Sequence, residues 1–329
     1  MPRPKIVITD FIADSLSIEK ELLNNFADVV ALNAEAEDQL VGKIEDADAI
    51  IVYHCLSITK ATIDRLARCK LIIRAGVGID NVDYAYARTC GLTVANIPDY
   101  GSEDVADTAI GMMLSLTRGI SFLNSRLQRN LGEWSYNQIQ PIQRLRNRNI
   151  GIIGLGRIGT ATALRAKSLG MNVIYYDPYK PDGYDKALGI QRTTSFNNLL
   201  NEVQVVSFHC PLTTETYHMI NAESIEKMPM GSYLINTSRG AVVDTSVIPP
   251  AIETGRLRGA ALDVLAVEPP LNDALVQAWR NPDHPAFHKV LINPHAAFYS
   301  EEGLREIRVK ALQACMNAIG CQEIRNVVN

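Results

Sequence analysis

Three side chains in this sequence, Arg239, Glu268 and His295, are of the types that could together move a hydride and a proton. Each follows a short apolar run. Leu234-Ile-Asn-Thr237-Ser238-Arg239-Gly240 ends such a run in small polar residues and then an arginine. An arginine there can grip a carboxylate through two parallel hydrogen bonds and polarise a neighbouring carbonyl. Ala260-Ala-Leu-Asp263 ends a second run, and Glu268 follows in a loop fixed by Pro269 and Pro270. Val290-Leu-Ile-Asn-Pro294-His295 ends a third. Histidine suits proton transfer near neutral pH, and a carboxylate beside it favours the imidazolium and fixes the ring. Taken singly, each has an ordinary structural alternative: a surface ion pair for Arg239, a solvated acid for Glu268, a structural ring for His295.

A fourth motif supplies a hydride carrier. Gly151-Ile-Ile-Gly154-Leu155-Gly156-Arg157-Ile158-Gly159 holds a G-x-G-x-x-G fingerprint between an apolar run and a helical pattern. Gly154 allows a tight turn, Gly156 lets backbone approach a pyrophosphate, and Gly159 lets helix pack on strand. The helix N-terminus then turns its unpaired N–H groups toward phosphate. A second strand, Asn172 to Tyr176, delivers Asp177, 23 positions after Gly154, close to the roughly 20-residue spacing of a ribose-binding carboxylate. The cofactor expected is therefore NAD. Asp177 would repel a 2′-phosphate, no arginine follows it directly, and Lys180 is the nearest cation in sequence.

These residues need a scaffold of parallel strands, and the pattern provides one. Lys5–Thr9, Asp28–Leu32, Ala49–Tyr53, Leu71–Ile73 and Thr93–Ala95 are short Val- and Ile-rich runs separated by amphipathic stretches such as Thr59 to Arg68. That alternation predicts an α/β protein with doubly wound parallel sheets. Asn96-Ile-Pro98 breaks it; Ser102 can cap a helix over Glu103 to Arg118. Alternation resumes from 149 to 294, with a helix predicted over Arg157 to Leu169 and a final amphipathic helix over 300–319. Pro249-Pro250 inside the segment Asp244 to Thr254 predicts a short helix starting near Pro249, because proline is tolerated only in a first turn. The expected domains are 1–98 plus 299–329, covering substrate, and 99–298, binding the dinucleotide, with the cleft between them. Leu116, Ile120, Leu123 and Leu127 fall at helical spacing on a segment too long for a plain linker, which predicts a homodimer.

Composition sets outer bounds. The 329 residues are 47% hydrophobic with a net charge of −4, which points away from nucleic acid as a direct partner. No apolar run is long enough to span a bilayer, and Met-Pro-Arg-Pro-Lys leads directly into a strand, so no membrane partner or signal peptide is expected and the location expected is cytoplasmic. Six cysteines, Cys55, Cys69, Cys90, Cys210, Cys315 and Cys321, show no C-x-x-C spacing. They read as reduced thiols, mostly in the core, with no metal site expected.

Several stretches resemble one family over nearly the whole chain: Ile72-Ile-Arg74-Ala-Gly76-Val77-Gly78-Ile-Asp80-Asn; Tyr175-Tyr-Asp177-Pro-Tyr; Ala187-Leu-Gly-Ile-Gln-Arg192; His209-Cys210; Asn236-Thr-Ser-Arg239-Gly; and Pro294-His295-Ala-Ala-Phe298-Tyr-Ser300. The chain resembles the D-isomer-specific 2-hydroxyacid dehydrogenases, and within them the branch containing the C-terminal binding proteins. The resemblance implies a flavodoxin-like substrate domain, a Rossmann NAD-binding domain, and pairing into dimers. It implies that Arg239 binds and polarises a small 2-oxo acid, His295 donates the proton, and Glu268 orients His295. It also implies that backbone amides of Val77 and Gly78, beside Gly76, meet the substrate carboxylate, with Arg74 and Phe298 facing substrate. Leu155, Arg157, Ile158, Val77, His209, Cys210, Pro211, Thr216, Thr237, Ser238 and Asp263 would complete the cofactor site, with Arg239 and His295 at its reactive end. Cys210 would be a packed thiol.

Departures from the family refine the expectation. The C-terminal binding proteins carry tryptophan where Phe298 stands, and a long tail beyond the position of Asn329. Glu268 differs from the glutamine of formate dehydrogenases, and Arg74 from the lysine of phosphite dehydrogenases. The expectation is an enzyme without the regulatory domain of long-form phosphoglycerate dehydrogenases. A dinucleotide-sensing protein-interaction module is the alternative.

Overall fold

A computed structural model describes residues 3–329. The chain divides into two compact units, one reaching to Gly101 and including Tyr299–Asn329, the other Ser102–Phe298.

The first unit is built on β1 (Lys5–Ile8), β2 (Asp28–Ala31), β3 (Ala49–Val52), β4 (Leu71–Arg74) and β5 (Thr93–Asn96). All pairings are parallel, in the order β2-β1-β3-β4-β5, the flavodoxin-like order. β3 and β4 are buried at every position, as expected of a parallel sheet covered on both faces. The period of two sorts the side chains. Ile6, Ile8, Ile51, Leu71 and Ile73 pack on one face with Ile307, Leu312 and Cys315 of the helix Glu301–Ile319. Val7, Ile50, Val52, Ile72 and Val94 fill the other with Leu40 and Ile63. Ser300 caps that last helix, its Oγ accepting from the Gly303 N–H at 2.9 Å, and Glu301 and Glu302 complement its positive end.

The second unit contains β6 (Asn149–Ile153), β7 (Asn172–Tyr176), β8 (Gln191–Arg192), β9 (Val205–Phe208), β10 (Ser232–Asn236), β11 (Leu257–Leu262) and β12 (Val290–Ile292). They pair in parallel in the order β12-β11-β10-β9-β6-β7-β8. The chain runs outward from β6 through β7 to β8, then returns to β9 and runs the other way. The switch point between β6 and β9 is where such sheets bind ligands, beyond the strand carboxyl ends.

Local outcomes differ from the sequence patterns in four places. The helix Ser102–Thr117 starts at Ser102 itself, whose buried Oγ finds no partner among the described residues. Within the first turn the hydroxyl no longer reaches the amides that an N-cap serves. Gly119, at φ +66°, ends that helix region, and a second helix runs Ile120–Gln128. Leu116 therefore does not share one helical face with Ile120, Leu123 and Leu127. The stretch Thr59 to Arg68 forms only a short helix, Lys60–Ile63. β12 stops at Ile292, two residues short of Pro294. Pro249 and Pro250 do sit in the first turn of a short helix, Ile248–Glu253. Among the described residues, no helix is long and apolar enough to cross a membrane.

Candidate active site

Three adjacent strand ends of the second unit carry the candidate side chains. Beyond β10 the chain turns on Asn236, which is fully buried. Its Oδ1 accepts from the Ser238 N–H at 3.0 Å and from Ser238 Oγ at 2.8 Å. Its Nδ2 donates to the Arg239 carbonyl at 2.9 Å. One side chain thus satisfies the turn that presents Arg239, as asparagine does in loops. Arg239 Nη1 donates to the Ser238 carbonyl at 2.8 Å. Gly240 then passes so close to the next loop that an added Cβ would lie 1.9 Å from the Leu265 carbonyl carbon. That contact leaves room for no side chain and places the Arg239 turn against the loop leading to Glu268.

β11 delivers Asp263, 2% exposed. Its Oδ1 accepts from the Ala296 and Ala297 N–H groups, both at 3.0 Å, and its carbonyl accepts from the His295 N–H at 2.8 Å. Burial pushes its carboxyl above the usual carboxylate range, and the Ala297 and Ala296 amides pull the other way. Its carboxylate thus fastens the loop beyond β12, where His295 adopts φ +55°, a left-handed backbone that must be held in place. Glu268 completes the arrangement. Its Oε1 accepts from the Leu265 N–H at 2.7 Å, and its Oε2 lies 2.7 Å from His295 Nδ1. The carboxylate fixes Nδ1 as the protonated nitrogen. Phe298 stands edge-on to the His295 ring, centroids 6.4 Å apart at 81°.

The fingerprint lies at the switch point. Gly154 takes φ +84°, and an added Cβ would lie 2.8 Å from Cys210 N, directly after β9. At Gly159 a Cβ would lie 2.0 Å from the Gly154 carbonyl oxygen. Asp177 Oδ2 accepts from the Leu155 N–H at 2.8 Å, and its Oδ1 accepts from the Tyr179 N–H at 3.0 Å. Beyond β9, Thr216 Oγ1 donates to the Pro211 carbonyl at 2.7 Å and closes that loop. Burial pushes the Cys210 thiol up to about 12 and the His209 ring down to about 3. A thiol so protonated is no nucleophile, and His209 is a neutral ring bonded through Nε2 to Ser207 Oγ at 2.9 Å.

The remaining candidates belong to the first unit, at the carboxyl end of β4. Arg74 Nε donates to Asn81 Oδ1 at 3.2 Å and its Nη1 to the Ala75 carbonyl at 3.1 Å. Asn81 Nδ2 in turn holds the carbonyls of Tyr53 and Leu56, both at 2.8 Å. A Cβ on Gly76 would collide with Arg74 Nη1 at 1.4 Å, so this glycine gives the guanidinium its place. The Val77 carbonyl accepts from Asn96 Nδ2 at 2.7 Å. No acceptor among the described residues meets the Val77 or Gly78 N–H.

The family model for "D-isomer specific 2-hydroxyacid dehydrogenase, NAD binding domain" matches residues 110–297, more than half the chain. This chain belongs to that family. It is 32% identical over 326 residues to a D-3-phosphoglycerate dehydrogenase of Methanocaldococcus jannaschii, covering 99% of this chain and 59% of that protein. It is 29% identical to C-terminal-binding protein 1 of Caenorhabditis elegans, over 99% of this chain and 45% of that one. The chain thus spans about half the length of these relatives. A D-lactate dehydrogenase from Aquifex aeolicus, solved with NAD and lactic acid, superposes with a TM-score of 0.84 at 28% identity, covering 98% of both chains.

NAD is the cofactor of this family's domain, and the residues present fit it. A Cβ on Gly156 would meet nothing within 4 Å. The helix Arg157–Ser168 starts there without a side-chain cap, so its first N–H groups point at open space where a pyrophosphate is suited. Thr237 Oγ1 and His209 Nδ1 are buried with no partner among the described residues. Arg192, invisible as a neighbour in sequence, lies on β8 beside β7. It is tied to Asp182 at 2.7 Å and to the Lys180 carbonyl at 3.0 Å. Lys180 itself sits over the Tyr184 ring.

Proposed function

We propose that this protein reduces a small 2-oxo acid to the D-2-hydroxy acid with NADH, and catalyses the reverse reaction with NAD. The observation that carries the proposal is the Glu268–His295 pair at 2.7 Å, held on a strand end next to the loop of Arg239. The cofactor, when bound, supplies or accepts the hydride at the substrate's C2. Arg239 binds the 2-oxo acid and polarises its carbonyl. His295 gives the carbonyl oxygen a proton, and Nε2 is the nitrogen assigned to that transfer because Nδ1 is engaged by Glu268. Arg74 and the Val77 and Gly78 amides hold the substrate carboxylate, and Phe298 shapes the pocket. Steady-state assays against a panel of small 2-oxo acids test the proposal. Turnover of at least one is expected. NADH binding without any turnover would instead favour a dinucleotide-sensing interaction module, the reading that similarity to C-terminal-binding protein 1 supports.

Glu268→Gln should lower kcat in both directions. The carboxylate holds His295 Nδ1 at 2.7 Å and so fixes the ring and its tautomer; an amide can offer Nδ1 a donor instead and leave Nε2 in the wrong state. Steady-state kcat in both directions measures this. A wild-type kcat in both directions would remove Glu268 from the assigned role.

Cofactor preference should fall on NAD. Asp177 bears a charge that repels a 2′-phosphate, and Arg192 is already engaged by Asp182. The ratio of kcat/KM for NADH and NADPH measures it, and equal use of NADPH would contradict the role given to Asp177. We also propose a homodimer. No residue of the helix Ile120–Gln128 is buried in the single chain, and Trp134 and Tyr136 are 89% and 74% exposed, an apolar load that a monomer seldom leaves in water. Light scattering at micromolar concentration should give twice the 36.3 kDa chain mass; the mass of one chain would refute it.

A further inference from the structure

Two loops of the second unit bound the mouth of the fingerprint turn. β6 lies between β9 and β7 in the sheet, so the loops that follow those two strands flank the turn on either side. At its base the turn touches both. The Gly154 N–H donates to the Tyr176 carbonyl at 3.0 Å, and the closeness of Cys210 leaves Gly154 no room for a side chain. Beyond the strand ends the same two loops meet again, where the Tyr179 hydroxyl donates to Glu215 Oε2 at 2.6 Å. Strands two places apart in a sheet are separated by roughly 10 Å, a gap that one tyrosine and one glutamate side chain span together. Backbone contact at the base and this hydrogen bond farther out close a ring. Both of its supports are firm. Thr216 Oγ1 accepts from the Thr213 N–H at 2.8 Å and donates to the Pro211 carbonyl at 2.7 Å, which folds the Glu215 loop onto itself. Asp177 Oδ1 accepts from the Tyr179 N–H at 3.0 Å, and Arg192 Nη2 holds the Lys180 carbonyl at 3.0 Å. The parts free to move are the two side chains. Tyr179 is 78% exposed, so little packing holds its ring and the bond to Glu215 sets its place. The Glu215 carboxylate pushes the Tyr179 hydroxyl above its ordinary range, so the tyrosine stays the donor.

We propose that Tyr179 and Glu215 form a gate on the adenosine end of the dinucleotide site, one that sets how fast NADH enters and leaves. The proposal rests on the place given to Asp177 at the adenosine ribose. Asp177 is itself a link of the ring, so an adenosine held by its carboxylate has to pass the Tyr179–Glu215 bar in either direction. The bar is the same hydrogen bond before and after the cofactor passes. It therefore cancels from the equilibrium constant and acts on both rates. A net hydrogen bond of ordinary strength holds the closed form at about three- to tenfold excess. Exposed side chains change rotamer far faster than a cofactor exchanges, so each rate scales with the open fraction.

Stopped-flow fluorescence of NADH binding to the purified full chain reads both rates, and equilibrium titration reads Kd. Tyr179→Phe keeps the ring and removes the donor; Glu215→Ala removes the acceptor. Each should raise the association and dissociation rate constants together by about three- to tenfold, with Kd within about twofold of wild type. The double variant should match either single one, because all three lack the same bond. Asp177→Ala should instead weaken NADH at equilibrium by at least about tenfold, as the loss of hydrogen bonds to a charged group does. Unchanged rates in both single variants would overturn the gate. A dissociation rate that rises alone, and Kd with it, would overturn it as well, by making Tyr179 and Glu215 binding contacts. An unchanged Kd in Asp177→Ala would take the adenosine away from this ring, and the gate with it.

Discussion

Replacing His295 with alanine should lower turnover by roughly 10²–10⁴-fold, the value of a positioned general acid, while NADH affinity changes little. The expectation follows from how the ring is held. Glu268 fixes Nδ1 at 2.7 Å, and Asp263 binds the backbone on both sides of the left-handed turn, through the His295 N–H at 2.8 Å and the Ala296 and Ala297 amides at 3.0 Å. None of these contacts is made by the imidazole toward the fingerprint glycines, so its loss leaves the phosphate cradle untouched. NADH fluorescence titration and single-turnover reduction of a 2-oxo acid measure the two halves separately. A variant that turns over at the wild-type rate would sink the assignment. One that loses NADH binding as severely as turnover would show a structural role instead. Asparagine at 295 is the control for folding, since it tolerates the left-handed backbone better than alanine.

What could be read from the sequence was local. The fingerprint, the strand before it and Asp177 lie within one βαβ unit, and their spacing alone placed them; in the structure Asp177 reaches back to the Leu155 N–H. The alternation of apolar runs likewise gave parallel sheets, because buried strands show as Val- and Ile-rich runs whatever their order. What stayed hidden depends on partners distant in sequence. Asp263 ends an apolar run, but nothing near it in sequence shows that its carboxylate holds amides more than thirty positions on. Asn236, two residues before a serine, carries a local turn signal, but that signal does not show that its side chain holds the Arg239 carbonyl. The need for glycine at 240 comes from the loop at Leu265, which no local pattern announces. The break at Gly119 has no local signal, because apolar spacing continues across it and a glycine in a helical pattern reads first as a tolerated one.

Arg239→Ala should cost roughly 10²–10³-fold in kcat/KM, with both KM and kcat affected. The proposal gives this side chain two tasks, holding the substrate and steadying charge that develops on the carbonyl oxygen, and only the second lowers kcat. Arg239→Lys separates them. Lysine keeps the positive charge but loses the planar fork, so kcat should recover further toward wild type than KM does. The surrounding turn should survive either change. Asn236 holds it through the Ser238 amide and hydroxyl and the Arg239 carbonyl, none of which involves the guanidinium. The same logic makes Asn236→Ala informative: it leaves the arginine in place but frees its turn, so it should lower kcat/KM in the direction of Arg239→Ala and add little when combined with it, as residues acting as one unit do. Steady-state kinetics of the three variants and the double variant measure this. A wild-type kcat/KM in Arg239→Ala would remove the arginine from the chemistry. Full additivity of Asn236→Ala and Arg239→Ala would remove Asn236 from the positioning of Arg239.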